Sequence, residues 1–125
     1  MANEITMTAA LTARKGLVSV GSGTLVKSLN MSGEDVVQNT QDITSTSDVQ
    51  LSFGAITGAP ACVLVLNTDA TNSVSISRGT GANFDTYKFA TLSPGTFLLL
   101  PPSSSAYYAK ASASTVKVLV VAVEA

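Results

Sequence analysis

Apolar side chains recur at every second position along much of this chain. Nowhere do they hold the i, i+3, i+4, i+7 spacing that gives a helix one apolar stripe. The pattern starts at once: Ile5, Met7, Ala9 and Leu11 alternate with Thr6, Thr8 and Ala10, whereas helical spacing from Ile5 lands on Thr8, Ala9 and Thr12. Successive side chains of a strand point to opposite faces, so such alternation makes strands with one face to bury. The expectation is an all-β chain with almost no helix. At most one short helical turn is expected, and Ser32 to Gln41, with Glu34, Val36 and Val37, is the segment that could make it.

Turn residues divide the chain. Gly21-Ser22-Gly23, between Lys15 to Val20 and Thr24 to Met31, reads as a hairpin loop, because glycine supplies φ > 0 without a Cβ clash. Thr40 to Thr46 and Asp48 to Phe53 alternate weakly, and Gly54 to Pro60 is a loop. Ala61 to Asn67 is apolar on both faces, as a central strand covered from two sides would be. The polar turn Thr68 to Asn72 leads to Val74 and Ile76, which are expected to pair back on that strand as a hairpin. Gly79 to Asn83 is a loop before a strand from Phe84 to Leu92. Ser93-Pro94-Gly95-Thr96 fits a type II turn, and Thr96 to Leu100 is the returning strand. Pro101-Pro102 stops it, Ser103 to Ser105 is a loop, and Ala106 to Lys110 and Thr115 to Val123 are the last strands. About eight to ten short strands at this spacing favour a single-domain antiparallel β-sandwich or small barrel. The division expected is an N-terminal extended arm or edge strand over residues 1–13, closed by Arg14-Lys15, and a sandwich domain over 14–125.

With 125 residues, the chain can bury one core without staples. Its apolar share is 46% against 12% charged, with Ser and Thr in place of the Glu, Lys and Gln of exposed helix faces. A formal charge of −1 lacks the footprint of a nucleic-acid binder, so no nucleic-acid partner is expected. The longest apolar runs, Ala61 to Leu66 and Val118 to Val123, fall far short of the roughly 20 residues that span a bilayer. No membrane partner is expected, and Met1 to Leu11 lacks the marks of a signal peptide. No basic residue lies between Lys27 and Arg78, while Glu34, Asp35, Asp42, Asp48 and Asp69 do. That interval reads either as ordinary solvated charge or as an acidic face for a basic partner.

Little in the chain suggests chemistry. There is no His, hence no imidazole base or ligand, and one Cys makes neither an intramolecular disulfide nor a multi-Cys zinc site. Glu34 and Asp35, being consecutive in an extended chain, point apart rather than converge. Cys62 shares a strand face with Leu64 and Leu66 and reads as a buried, inert thiol. Gly21-x-Gly23 and Gly79-x-Gly81 precede strands, unlike a dinucleotide fingerprint. Tyr107-Tyr108 near a strand start puts one ring inward and one outward, where the outer ring serves either packing or an interface. The expected assignment is no catalytic residue, no cofactor and no metal, so the chain is not read as an enzyme.

Several segments nonetheless resemble one family. Asn67-Thr-Asp-Ala-Thr-Asn72 before Val74-x-Ile76, the Leu92-Ser-Pro-Gly95 turn, Tyr108-Ala-Lys-Ala111 and Ser114-x-Val116-Lys-Val118 are similar to small β-rich virion structural proteins of tailed bacteriophages. The likeness covers mainly residues 61–123. It implies a jelly-roll-like sandwich on or in a phage particle, assembled in the bacterial cytoplasm, and it carries over no catalytic residue. The leading expectation is a capsid decoration (cement) protein, a homotrimer that binds the major capsid protein or other virion proteins. Ile5, Met7, Leu11, Arg14, Tyr107 and Tyr108 are its candidate interface residues, with residues 1–13 added as an arm to a neighbour's sheet edge. The alternatives are a neck or tail component, or a receptor- or glycan-binding module of a tail appendage.

Overall fold

The computed structural model describes residues 5–31, 33–100 and 106–124. Met1 to Glu4 of the expected arm, Ser32, and the Pro101 to Ser105 stop and loop lie outside the described residues. Ten strands and one three-residue 3₁₀ turn (Gly81–Asn83) make up the regular structure among those described, all the pairing being antiparallel. That short turn is the one helical element among the described residues and lies at Gly81–Asn83, while Val36 and Val37 begin a strand. Backbone contacts group the chain into two compact units, Met1–Ser32 and Gly33–Ala125.

The first unit is one long hairpin of β1 (Ile5–Lys15) and β2 (Val18–Leu29). The chain reverses at Gly16-Leu17 and not at Gly21-Ser22-Gly23. Lys15 pairs with Val18, and Gly16 at φ +59° takes the first position of the two-residue loop, where a type II′ turn needs glycine. The Gly21-Ser22-Gly23 segment is instead a bulge inside β2. Ala10 pairs with Thr24 and Thr12 with Gly21, so two residues of β2 face Leu11 alone. Gly23 bends there with φ +69°, and the Leu11 N–H donates to Ser22 Oγ at 2.9 Å. Glycine chemistry was legible in the sequence; whether it turned the chain or kinked a strand depended on pairing.

The second unit holds β3 (Val36–Ile43), β4 (Val49–Gln50), β5 (Pro60–Asn67), β6 (Val74–Ser77), β7 (Lys88–Leu92), β8 (Phe97–Leu100), β9 (Tyr108–Ala111) and β10 (Val116–Glu124). They form two four-stranded sheets, ordered β3-β10-β5-β8 and β4-β9-β6-β7, whose inward faces share one core, a β-sandwich-like arrangement. β5 is central, between β10 and β8. It does not pair with β6, contrary to the expected hairpin: the Thr68 to Asn72 turn carries the chain from one sheet to the other. The Ser93 to Thr96 turn, with Gly95 at φ +73° and the Thr96 N–H donating to the Ser93 carbonyl at 3.0 Å, also changes sheets. The strand expected from Phe84 starts only at Lys88, because the 3₁₀ turn and Phe84, whose ring is buried, come first.

Registers align the core in rows. Asn39, Val120, Val65 and Leu98 stand side by side on one sheet, and Val37, Ala122, Val63 and Leu100 form the next row. Against them stand Val74 and Ile76, Leu92, and Ala109 and Ala111 of the second sheet. The strongest pattern is β10, where Val116, Val118, Val120 and Ala122 are fully buried and Lys117 is exposed. Burying each such Val contributes about 1.5–3 kcal/mol.

Candidate functional site

Three surfaces remain when the core is accounted for. The first lies where β7 and β8, edge strands of different sheets, leave an opening beside Tyr107. Tyr107 is fully buried; the Phe89 ring meets it edge-on at 6.1 Å, and the Arg78 guanidinium lies 5.8 Å from its ring centre. Arg78, Tyr87, Phe89, Leu98 and Leu100 line a cleft of about 490 Å³ there. An adjoining cleft of about 530 Å³ is lined by Arg78, Thr80, Asn83, Tyr87 and Tyr108. Its rim is built firmly. Asp48 accepts hydrogen bonds from the Thr80 hydroxyl and, at 3.1 Å, the Gly81 N–H; the Thr80 bond, first, and then the backbone bonds hold its carboxyl below the ordinary value. Ser77 donates to the Phe84 carbonyl at 2.7 Å and accepts from the Gly79 N–H at 2.9 Å. A Cβ at Gly79 would come within 2.3 Å of the Asn83 carbonyl oxygen, so only glycine fits.

The second surface is the outer face of the β3-β10-β5-β8 sheet. Cross-strand pairing puts Leu119, Leu66 and Phe97 in one row and Val121, Leu64 and Leu99 in the next. None belongs to the core cluster, and Phe97 is 67% exposed. At the β3 side the face becomes acidic: Asp42 stands outward, ion-paired with Lys117 at 2.7 Å, and Glu34, Asp35 and Glu124 lie at the other end of that strand. Cys62, on this outer row beside Val123, is buried, and that burial pushes its thiol pKa up.

The third is the hairpin itself. Ile5, Met7, Ala9 and Leu11 share a face with Leu29, Lys27, Leu25 and Val20, since paired residues of an antiparallel ladder point the same way. The opposite face carries Thr6, Thr8, Thr12, Thr24 and Ser28, with Val26 among them. Leu11 is 75% exposed, and Leu17, at the turn, fully so. Of the residues expected at an interface, Ile5 is buried, Met7 is partly buried, Leu11 and Arg14 are exposed, Tyr107 is buried and Tyr108 is partly buried. Leu11 and Met7 fall on one surface with Ile5; Arg14 points from the other face. Tyr107 and Tyr108 line the two clefts. Reading the sequence missed Arg78, Tyr87 and Phe89, which come together only through the β6–β7 connection. It read Ala61 to Asn67 as apolar on both faces, but the rows that set Leu119 and Phe97 beside Leu66, and Val121 and Leu99 beside Leu64, follow only from the pairing.

Among the described residues no cluster of three metal-ligating side chains occurs, and no helix is long and apolar enough to cross a membrane. No protein-family model matches the chain, and neither the curated proteins nor the solved structures give a significant match.

Proposed function

We propose that the chain is a structural subunit of a tailed-phage virion, a capsid decoration protein that sits on the head as a homotrimer and contacts the major capsid protein. The observation that carries this is the pair of apolar faces outside the core: the hairpin face around Leu11, Val20 and Leu25, and the outer sheet face around Leu66, Phe97 and Leu119. On the hairpin Leu11, Val20 and Leu25 are exposed, and on the sheet Phe97 is exposed beside the partly buried Leu66 and Leu119; apolar surface left outside a core supports a protein that works by being covered by another.

The strand order supports a jelly roll. β3 pairs with β10, β4 with β9, β5 with β8 and β6 with β7, so the unit is one antiparallel ribbon of four strand pairs. The ribbon is rolled until β10 meets β5 and β9 meets β6. Eight-stranded jelly rolls build viral capsid and lectin domains, a likeness of fold and not of site.

Counting copies in purified particles tests the proposal. Quantitative mass spectrometry of the phage that carries this chain should find hundreds of copies on the head. Six or twelve copies put the chain in the neck or tail, and absence from the particle overturns the reading.

One observation favours a second reading, glycan or receptor binding. The cleft of Arg78, Thr80, Asn83, Tyr87 and Tyr108 combines the exposed Tyr87 ring and the partly buried Tyr108 with hydrogen-bonding groups, as sugar sites do. Binding to a glycan array that disappears in Tyr87→Ala would establish it.

A further inference from the structure

We infer that the β1–β2 hairpin of one copy lies on the outer face of the β3-β10-β5-β8 sheet of a second copy, so that the chain assembles by exchanging hairpins. This deepens the assembly reading above and rests on it. A two-stranded ribbon has no core of its own and is marginal in water unless its apolar face is covered. Here that face runs along strands of 11 and 12 residues, and Leu11, Val20 and Leu25 on it are each more than half exposed.

The occupant is identified by two complementarities. The first is apolar against apolar: the Met7, Leu11, Val20 and Leu25 face matches the outer rows of Leu66, Phe97, Leu119 and Leu64, Leu99, Val121. The second is charge. The described hairpin carries Arg14, Lys15 and Lys27 and no carboxylate, while the β3 margin of the sheet carries Glu34, Asp35, Asp42 and Glu124 against the single cation of its four strands, Lys117, which pairs with Asp42 at 2.7 Å. Lys27 stands on the apolar face of the hairpin and Asp42 on the outer face of the sheet, so both lie at the surfaces that would meet.

Area supports exchange rather than a single contact. A hairpin face about 35–40 Å long and about 10 Å wide covers about 350–400 Å². A copy that gives one hairpin and receives another buries about 700–800 Å², close to one side of a standard stable interface. Because the two surfaces differ, each contact is heterologous: reciprocal exchange between two copies makes a two-fold dimer, and head-to-tail exchange makes a ring such as a trimer where the rotation closes.

Disulfide trapping tests the contact in the full chain. In a Cys62→Ser background, Leu25→Cys and Phe97→Cys together should give covalent dimers and larger species under mild oxidation, dissolved by reductant. Chains that stay uncrosslinked, or that close the bridge within one chain without change of mass, overturn the inference. Sedimentation of surface variants checks it independently. Lys27→Glu and Asp42→Lys should each weaken self-association about tenfold, and the double variant should restore it. Association indifferent to all three overturns the inference. The two readings fail separately: monomeric chains that still saturate phage heads refute the exchange alone, and trapped oligomers of a chain absent from particles refute the virion role alone.

Discussion

Asn67 on β5 ties the two sheets together by donating from Nδ2 to the Leu92 carbonyl on β7, at 3.0 Å, across the end of the core. Its other Nδ2 hydrogen goes to the Asn72 carbonyl at 2.9 Å, and its Oδ1 accepts from the Asp69 N–H at 3.0 Å. The side chain is fully buried with each of these bonds made, so it is the clip that fixes the crossover from β5 to β6. Asn67→Leu keeps the volume but leaves two carbonyls and one N–H unpaired. A loss of about 3 kcal/mol is expected in urea unfolding, at an unchanged m-value.

Tyr107 presents the opposite case. Its hydroxyl is buried and has no hydrogen-bond partner among the described residues, while its ring packs against Phe89 and Arg78. Tyr107→Phe removes the unpaired group and keeps the ring, so stability should stay level or rise by about 1 kcal/mol. Tyr107→Ala should cost about 3–5 kcal/mol by opening a cavity. Thermal melts of the two variants check this; a marked loss in the Phe variant would show that the hydroxyl has a partner in solution.

Strand content was legible in the sequence because alternation is local: Val116, Val118, Val120 and Ala122 declare a strand and its inner face without reference to anything else. Sheet membership was not. Nothing near Thr68 to Asn72 distinguishes a hairpin turn from a crossover; the difference lies in the Asn67 side chain reaching Leu92, 25 residues away in sequence. β4 is short for a similar reason. Only Val49 and Gln50 find partners on β9, and Leu51 is buried in the core without belonging to a strand. The candidate surfaces were legible only in part. Leu11 and Met7 showed in the alternation, but the cleft around Arg78 and Tyr87 requires the rigid turn that Asp48, from a distant segment, holds in place.

Two aspartates contribute to the acid limb of stability. The Thr80 hydroxyl and the Gly81 N–H lower the Asp48 pKa, and the Asn72 and Thr71 N–H groups lower that of Asp69. A carboxylate whose folded pKa is depressed stabilises the fold fully above its unfolded pKa. The contribution is lost as pH falls through that value toward the folded one. The melting temperature should therefore hold from neutral pH down to about pH 5 and decline below it. Asp48→Asn and Asp69→Asn keep an acceptor oxygen but cannot titrate, so each should flatten the decline. The effect is modest because both side chains meet solvent.

Cys62 offers a test of where β5 lies. It is 7% exposed on a central strand, and burial raises its thiol pKa, so the reactive thiolate is scarce as well as shielded. Labelling by a thiol reagent at neutral pH should be slow in the native protein and complete at once in denaturant. Fast native labelling would place Cys62 at an open edge.

Removing residues 1–31 separates the hairpin's contribution to folding from its contribution to assembly. β1 pairs only with β2, and neither strand joins either four-stranded sheet, so no ladder hydrogen bond of the sandwich is lost. The core cluster that joins the sheets contains no hairpin residue. The truncated chain should therefore keep a cooperative melt close to that of the full chain, compared at equal concentration because assembly itself raises apparent stability. Deleting only residues 1–12 is the harsher change. It leaves β2 from Gly21 to Leu29 without its β1 partners, with Leu25 and Val26 exposed and both edges of that stretch unpaired, the condition that favours aggregation. The shorter deletion should thus lower solubility more than the longer one, measured by light scattering on concentration. A collapse of the melt in the 1–31 deletion would instead show that the hairpin is part of the sandwich's own folding unit.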